Sequence, residues 1–177
     1  VDNISHGRLD CGCVRGVPYE LLASNANPTM TGERMWEAID LIIKAWTTES
    51  LTYHGKYTNV DELMVMPKPL QKPYPPLFQA VSTSPASVEF AAKHQIQVIA
   101  GGPTDIMGQA PQVIKPWREK MDEFGHEHKH LDPPLSKGIY VAPTVEEAES
   151  DAASLMDFSS RILRTVGPGG TPIGMPV

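Results

Sequence analysis

The sequence predicts an α/β fold, a partial (β/α)8 barrel, from three observations. Short apolar runs that fit buried strands alternate with longer segments whose apolar residues recur at helical spacing. Strand and helix follow one another four times, with one surface excursion after the first helix, which is the order of a parallel sheet. Four βα units in 177 residues are half of the eight in a closed barrel of about 250 residues. An open doubly wound sheet is the competing architecture.

Leu9 to Arg15 is the first strand, closed by Gly16. Residues 17–28 run irregularly to Thr31, a residue that can cap a helix, with Glu33 in the positive first turn. Met35, Ala38, Ile39, Ile42, Ile43 and Trp46 then fall on one helical face. Residues 49–76 read as an excursion over the surface. It contains a hairpin over Thr52–Thr58 turning near Gly55, a short strand over Leu63–Met66, and a stiff connector carrying Pro67, Pro69, Pro73, Pro75 and Pro76.

Leu77 to Val81 is the second core strand. Ser84 suits an N-cap and Pro85 the first helical position, in a helix running through Val88, Ala91 and Ala92 to His94. Ile96 to Ala100 is the third strand. A helical pattern over Thr104–Phe124 carries Ile106, Ala110, Val113, Trp117, Met121 and Phe124 on one face. Pro111 and Pro116 require either two pieces or a late start, and Gly125 stops it. Leu135 to Val141 is the fourth strand. Thr144 with Glu147 forms a capping box for a helix that reaches Arg164. Gly167 to Pro172 predicts a flexible end over 167–177. No linker separates two cores, so 1–177 reads as one domain.

Composition narrows the function. The chain is 41% hydrophobic and 20% charged, with a net charge of −6 and no basic stripe, which argues against nucleic acid as a partner. No apolar run approaches the roughly 18 residues of a membrane span. The start lacks the basic-then-apolar pattern of a secretion signal, so a cytoplasmic protein is expected. Cys11 and Cys13 share a strand face, where a disulfide would strain an extended backbone, and they read as reduced thiols.

One constellation could carry chemistry. Arg15 and the turn Ser82-Thr83-Ser84-Pro85-Ala86-Ser87 follow consecutive parallel strands, so both belong to one rim of the sheet. The turn opens a helix, whose free N–H groups favour an anion, and a guanidinium beside it could grip a phosphate in bidentate fashion. Spacing alone leaves a second reading open, in which Ser84 merely caps and Arg15 pairs with a carboxylate. His126, His128 and His130 alternate after a helix stop without a known ligand set, and they read as a solvated loop. No Gly-x-Ser-x-Gly elbow, Walker sequence or Gly-x-Gly-x-x-Gly is present.

Several segments, in order, resemble the bacterial-luciferase-like flavin monooxygenases. They are Ser5-His6-Gly7-Arg8-Leu9, Gly12-Cys13-Val14-Arg15-Gly16, Glu37-Ala38-Ile39-Asp40-Leu41-Ile42 with Trp46, and His54-Gly55-Lys56-Tyr57. Pro67-Lys68-Pro69-Leu70-Gln71-Lys72-Pro73 with Pro75-Pro76, Ser84-Pro85-Ala86-Ser87 with Glu89-Phe90-Ala91-Ala92, and Glu123-Phe124-Gly125-His126 complete the set. The resemblance implies strands four to seven of the barrel, and an enzyme that uses reduced flavin mononucleotide (FMN) and O2 to oxygenate a small organic substrate such as an aldehyde or alkane. It implies Arg15, Gly16, Ser82, Thr83, Ser84 and Ser87 at the flavin phosphate and Tyr19 on the substrate side. A flavin reductase as partner and a dimer are also implied. No metal is expected. The family's catalytic histidine falls outside these strands, so no catalytic residue is assigned, and Val14 stands where luciferase has a reactive thiol. A deazaflavin-dependent oxidoreductase and a non-catalytic flavin-binding relative are the alternatives.

Overall fold

Four short strands lie side by side and parallel in the computed structural model, which describes residues 1–16, 21, 27–81, 84–102, 110–137 and 139–153. They are β1 (Cys11–Cys13), β4 (Leu77–Ala80), β5 (Gln97–Gly102) and β6 (Leu135–Lys137), hydrogen-bonded in that order. The register pairs Cys13 with Gln79, Gln79 with Val98, and Ala100 with Leu135. The helices α1 (Thr31–Thr47), α2 (Pro85–Lys93) and α3 (Ala110–Glu123) follow β1, β4 and β5, and residues 145–153 are helical after β6. This is the parallel βα order read from the sequence.

The core lies between the sheet and its helices. Leu77, Val98 and Ala100 meet Ile39 of α1, Val88, Ala91 and Ala92 of α2, and Val113, Trp117 and Met121 of α3, with Cys11 and Cys13 packed against this cluster. The alternating residues Gly12, Val14, Ala80 and Gly101 project to the other face and are exposed. Two sides of one sheet therefore differ: one is a packed helix layer, the other a bare face of small and apolar residues.

Helix faces follow the predicted spacing with one rotation. In α1 the buried stripe is Met35, Ile39, Ile43 and Trp46, whereas Ala38 and Ile42, expected on the same face, are exposed. Thr31, expected as the cap, lies inside α1. Capping is displaced to Asn27, whose Oδ1 accepts the Thr29 N–H at 3.0 Å and so closes the single 3-10 turn Pro28–Met30 leading into the helix. The described part of α3 runs from Ala110 with Pro116 inside it, and the expected start between Thr104 and Ala110 lies outside the described residues. The Trp117 indole N–H donates to the Ile96 carbonyl at 3.0 Å, tying α3 to the start of β5. Gly125 adopts φ +73° and the His126 N–H reaches back to the Met121 carbonyl at 2.9 Å, a left-handed stop that only glycine makes without cost. The Thr144 hydroxyl accepts the Glu147 N–H at 3.2 Å, as the capping box requires.

Strand bounds differ from expectation, by one or two residues in the second and third strands and by more elsewhere. The first is confined to Cys11–Cys13, and the fourth to Leu135–Lys137 rather than Leu135–Val141. Residues 64–66 are not a strand: the hairpin pairs β2 (Leu51–His54) with β3 (Asn59–Leu63), and Leu63 ends it. Met64 and Met66 are exposed, since no partner strand lies beside them among the described residues.

The connector is tied down at the end of the sheet where strands begin. Lys68 donates to the carbonyls of Ala45 and Thr48 at 2.7 and 2.6 Å, satisfying the C-terminal end of α1. Asp2 accepts the backbone N–H groups of Leu70 and Gln71 at 2.7 and 3.0 Å and the Gln71 side chain at 2.9 Å. No helix of the described residues is long and apolar enough to cross a membrane.

Candidate functional site

Arg15 and Gly16 leave β1 at its C-terminal end, and Ser84 and Ser87 stand at the start of α2, just past the C-terminal end of the adjacent strand β4. Parallel pairing puts both on the same rim, which is where an α/β barrel builds its sites. Gly16 has φ +83°, a left-handed bend that turns the chain sharply out of the strand. Arg15 is exposed and forms no hydrogen bond or ion pair among the described residues. The carboxylate pairing of the second reading is thus not formed among the described residues. The Arg15 Cδ lies 3.9 Å from where a β-carbon on Gly32 would stand, so its stem rests beside the first turn of α1.

Ser84 is the N-cap residue of α2 by position, with φ −69° and ψ 113°, but its side chain makes no capping hydrogen bond. Its carbonyl accepts the Ser87 and Val88 N–H groups, both at 3.1 Å. The Ser84 hydroxyl is therefore not committed to the helix, and since Pro85 has no N–H and those of Ser87 and Val88 are taken, the Ala86 amide is the one left to face an anion in the first turn. Ser82, Thr83 and Tyr19, also expected at the site, lie outside the described residues.

Val14 is 65% exposed on the bare sheet face, next to Arg15. Cys13 points the other way, into the helix layer, as strand alternation requires. Burial, and secondarily the neighbouring Cys11, pushes the Cys13 thiol up to about 11. At neutral pH it is protonated and a poor nucleophile. Both cysteines are free.

The histidine segment is only partly the solvated loop that its composition suggests. His128 is buried, with Nε2 3.0 Å from Asp122 Oδ1 and its ring edge-on to Trp117 at 6.2 Å. The turn at Gly125 folds the chain back over the end of α3 and carries His128 under Trp117, a tertiary contact that local composition cannot signal. His126, His128 and His130 line a cleft of about 490 Å3 with Asp122 and Glu127, at the end of α3 remote from Arg15. Among the described residues no three donors are placed to hold a metal ion.

Comparison with known proteins decides the family. Residues 1–170 match the family described as luciferase-like monooxygenase. The chain belongs to that family. Among its relatives, the oxygenase component of the flavin-dependent trigonelline monooxygenase of Acinetobacter baylyi is 33% identical over 100 residues, covering 55% of this chain and 27% of that protein. The FMNH2-dependent dimethylsulfone monooxygenase of Pseudomonas putida is 26% identical over 90 residues, covering 49% and 25%. The crystal structure of monooxygenase RslO1 from Streptomyces bottropensis superposes with a TM-score of 0.77 at 25% identity, over 93% of this chain and 50% of that one. This luciferase-like chain thus spans about a quarter of the curated relatives and half of the solved one, and its four-stranded sheet is the corresponding part of a (β/α)8 barrel.

Proposed function

We propose that this chain forms the phosphate-gripping side of an FMN-dependent monooxygenase that oxygenates a small organic substrate, such as an aldehyde or alkane, with a flavin reductase supplying the reduced cofactor. The observation that carries the reading is that Arg15, unpaired among the described residues, shares one rim of a luciferase-like sheet with the N-terminus of α2, which has no side-chain cap. The relatives described as flavin- and FMNH2-dependent support it.

The residues present fit a phosphate monoester. The dianion takes charge-assisted hydrogen bonds from a guanidinium better than from any neutral donor. The Ala86 amide and the hydroxyls of Ser84 and Ser87 add further donors, to which Ser82 and Thr83 would contribute. Gly16 keeps the approach beside Arg15 clear of a side chain. The bare face around Val14, Ala80 and Gly101 is mostly apolar or backbone surface, with Ser136 beside Gly101 as a polar side chain, and such a surface suits a flat ring. When bound, reduced flavin supplies the two electrons with which O2 places one atom in the substrate and leaves the other as water. Tyr19 is proposed on the substrate side.

Arg15→Ala is expected to weaken FMN binding by about 1.5–3 kcal/mol, the range for a hydrogen bond to a charged group. Quenching of flavin fluorescence measures it, and an unchanged dissociation constant removes Arg15 from the site. Turnover with a flavin reductase, O2 and candidate aldehydes, followed by mass spectrometry, tests the oxygenase reading. Hydride transfer with a deazaflavin and no oxygen uptake would replace it.

A further inference from the structure

The histidine cleft at the end of α3 belongs to no part of the phosphate site. Asp122 of α3 and the loop from Gly125 to His130 border its roughly 490 Å3. Two of its imidazoles are held in the same way, through the same nitrogen. His128 Nε2 lies 3.0 Å from Asp122 Oδ1, and His126 Nε2 lies 3.2 Å from the Lys93 carbonyl at the end of α2. A carboxylate and a carbonyl oxygen only accept, so in each ring Nε2 carries the proton. Each neutral ring then presents Nδ1 as a lone pair. His128 Nδ1 is buried and has no hydrogen-bond partner among the described residues.

An imidazole whose N–H is tied to a carboxylate or a backbone carbonyl is set up as a metal ligand. The tie fixes the tautomer and the ring orientation, and it makes the free nitrogen more basic. Here two such rings stand two residues apart on the wall of one cleft. Imidazole nitrogen favours the later divalent ions, copper above nickel and zinc, over magnesium or calcium, which take oxygen. No three His, Cys, Asp or Glu residues are placed to share an ion among the described residues, so solvent would complete the coordination. His128 Nδ1 is closed to water as the loop stands. Binding therefore has to shift the loop by about the 2 Å of a metal–nitrogen bond. Lys129 and His130, both exposed, are the part of the wall that can give way.

We propose that His126 and His128 form a two-imidazole site for a divalent late transition-metal ion, with Asp122 as a positioning residue that acts through His128. The site is independent of the flavin reading. His126 is bonded to the end of α2 and His128 to α3, so one ion on both rings joins the ends of two helices.

The test uses the full chain without a histidine tag, and the metal ions alone. Cu(II) is expected to quench the fluorescence of Trp117, whose ring lies edge-on to His128 at 6.2 Å. Mg(II) at the same concentration is expected to leave it unchanged. Zn(II), followed by nitrogen NMR of the histidine rings, should move Nδ1 of His126 and His128 and keep both Nε2–H signals. Asp122→Asn and His126→Gln are the variants that spare the core, since the Asp122 side chain is 72% exposed and His126 is half-buried. Asp122→Asn is expected to weaken Cu(II) binding about 10- to 100-fold, the range for losing a group that orients a ligand. His126→Gln should weaken it at least as much, and His130→Gln hardly at all. Unchanged binding in Asp122→Asn, or equal losses in His126→Gln and His130→Gln, is the behaviour of an unstructured histidine tract and overturns the site. Binding of Mg(II) alongside Cu(II) also overturns it, because carboxylates would then be the ligands.

Discussion

At the scale of single residues, the described structure is governed by a few polar groups with unusual numbers of partners. Asp2 is nearly fully buried. Burial pushes its carboxyl up, but hydrogen bonds from the Gln71 amide, the Gln71 side chain and the Leu70 amide outweigh burial and hold it below its ordinary value of 3.8. A group whose folded pKa is depressed favours the folded state above its unfolded pKa, and that contribution is lost as pH falls through the folded one. Acidification below about 3.8 is therefore expected to release residues 1–9 from the connector while the helix layer persists. Hydrogen exchange of the Leu70 and Gln71 amides against pH reads this directly, and protection that does not fall on acidification would contradict it. Asp2 is not visible as such a group in the sequence, because its donors lie some 70 residues away. Arg15 is visible, because an arginine just past a short strand and before a glycine belongs to a rim by local pattern alone.

At the scale of elements, periodicity located all three helices between the strands, and where it failed a tertiary contact intervened. Val113, Trp117 and Met121 are buried as spaced, because α3 presents a single face to β5. Ile42 is not, because α1 is turned to lay Met35, Ile39, Ile43 and Trp46 on the core. The cap moved from Thr31 to Asn27 because a 3-10 turn precedes the helix, and a preference for polar caps does not distinguish which of two nearby residues is used. The hairpin was legible from Tyr53 and Gly55, but Glu37, two helical turns into α1, accepts the Lys56, Tyr57 and Thr58 N–H groups at the hairpin tip and carries no mark of this in the linear pattern. Pro116 within α3 lacks the N–H that would bond one turn back and crowds that carbonyl. Pro116→Ala is expected to stabilise the chain by about 1–2 kcal/mol, after allowing for the looser unfolded state. A higher urea midpoint at unchanged slope is the expected result, and an unchanged or lower midpoint refutes it.

At the scale of the whole molecule, the helix-covered side of the sheet and its bare side make opposite demands. The helix side buries Ile96, Val98, Ala100 and Trp117 completely. The bare side leaves Val14 at 65% exposure, and β1 and β6 each lack a neighbour on one edge among the described residues. Open edges and uncovered apolar faces favour association. The 177-residue chain is expected to self-associate with rising concentration and to unfold over a broad range. Sedimentation velocity and thermal melts at several concentrations test this, and a sharp, concentration-independent transition of a monomer would count against it.

The tie between Asp2 and Leu70 has a consequence for how the chain is made. The two residues are 68 positions apart, and everything between them, β1, α1 and the hairpin, lies within the loop they close. Closing a long loop costs conformational entropy before its contacts offset it, and contacts of such wide separation form late in folding. During synthesis residues 1–9 therefore wait until the connector has emerged. Only then can β1, a strand of three residues, be held against β4, with Arg15 carried to the rim beside it. The order of emergence from the ribosome thus makes the hairpin and its helix a local unit that can form first, and places the rim that carries Arg15 after the connector.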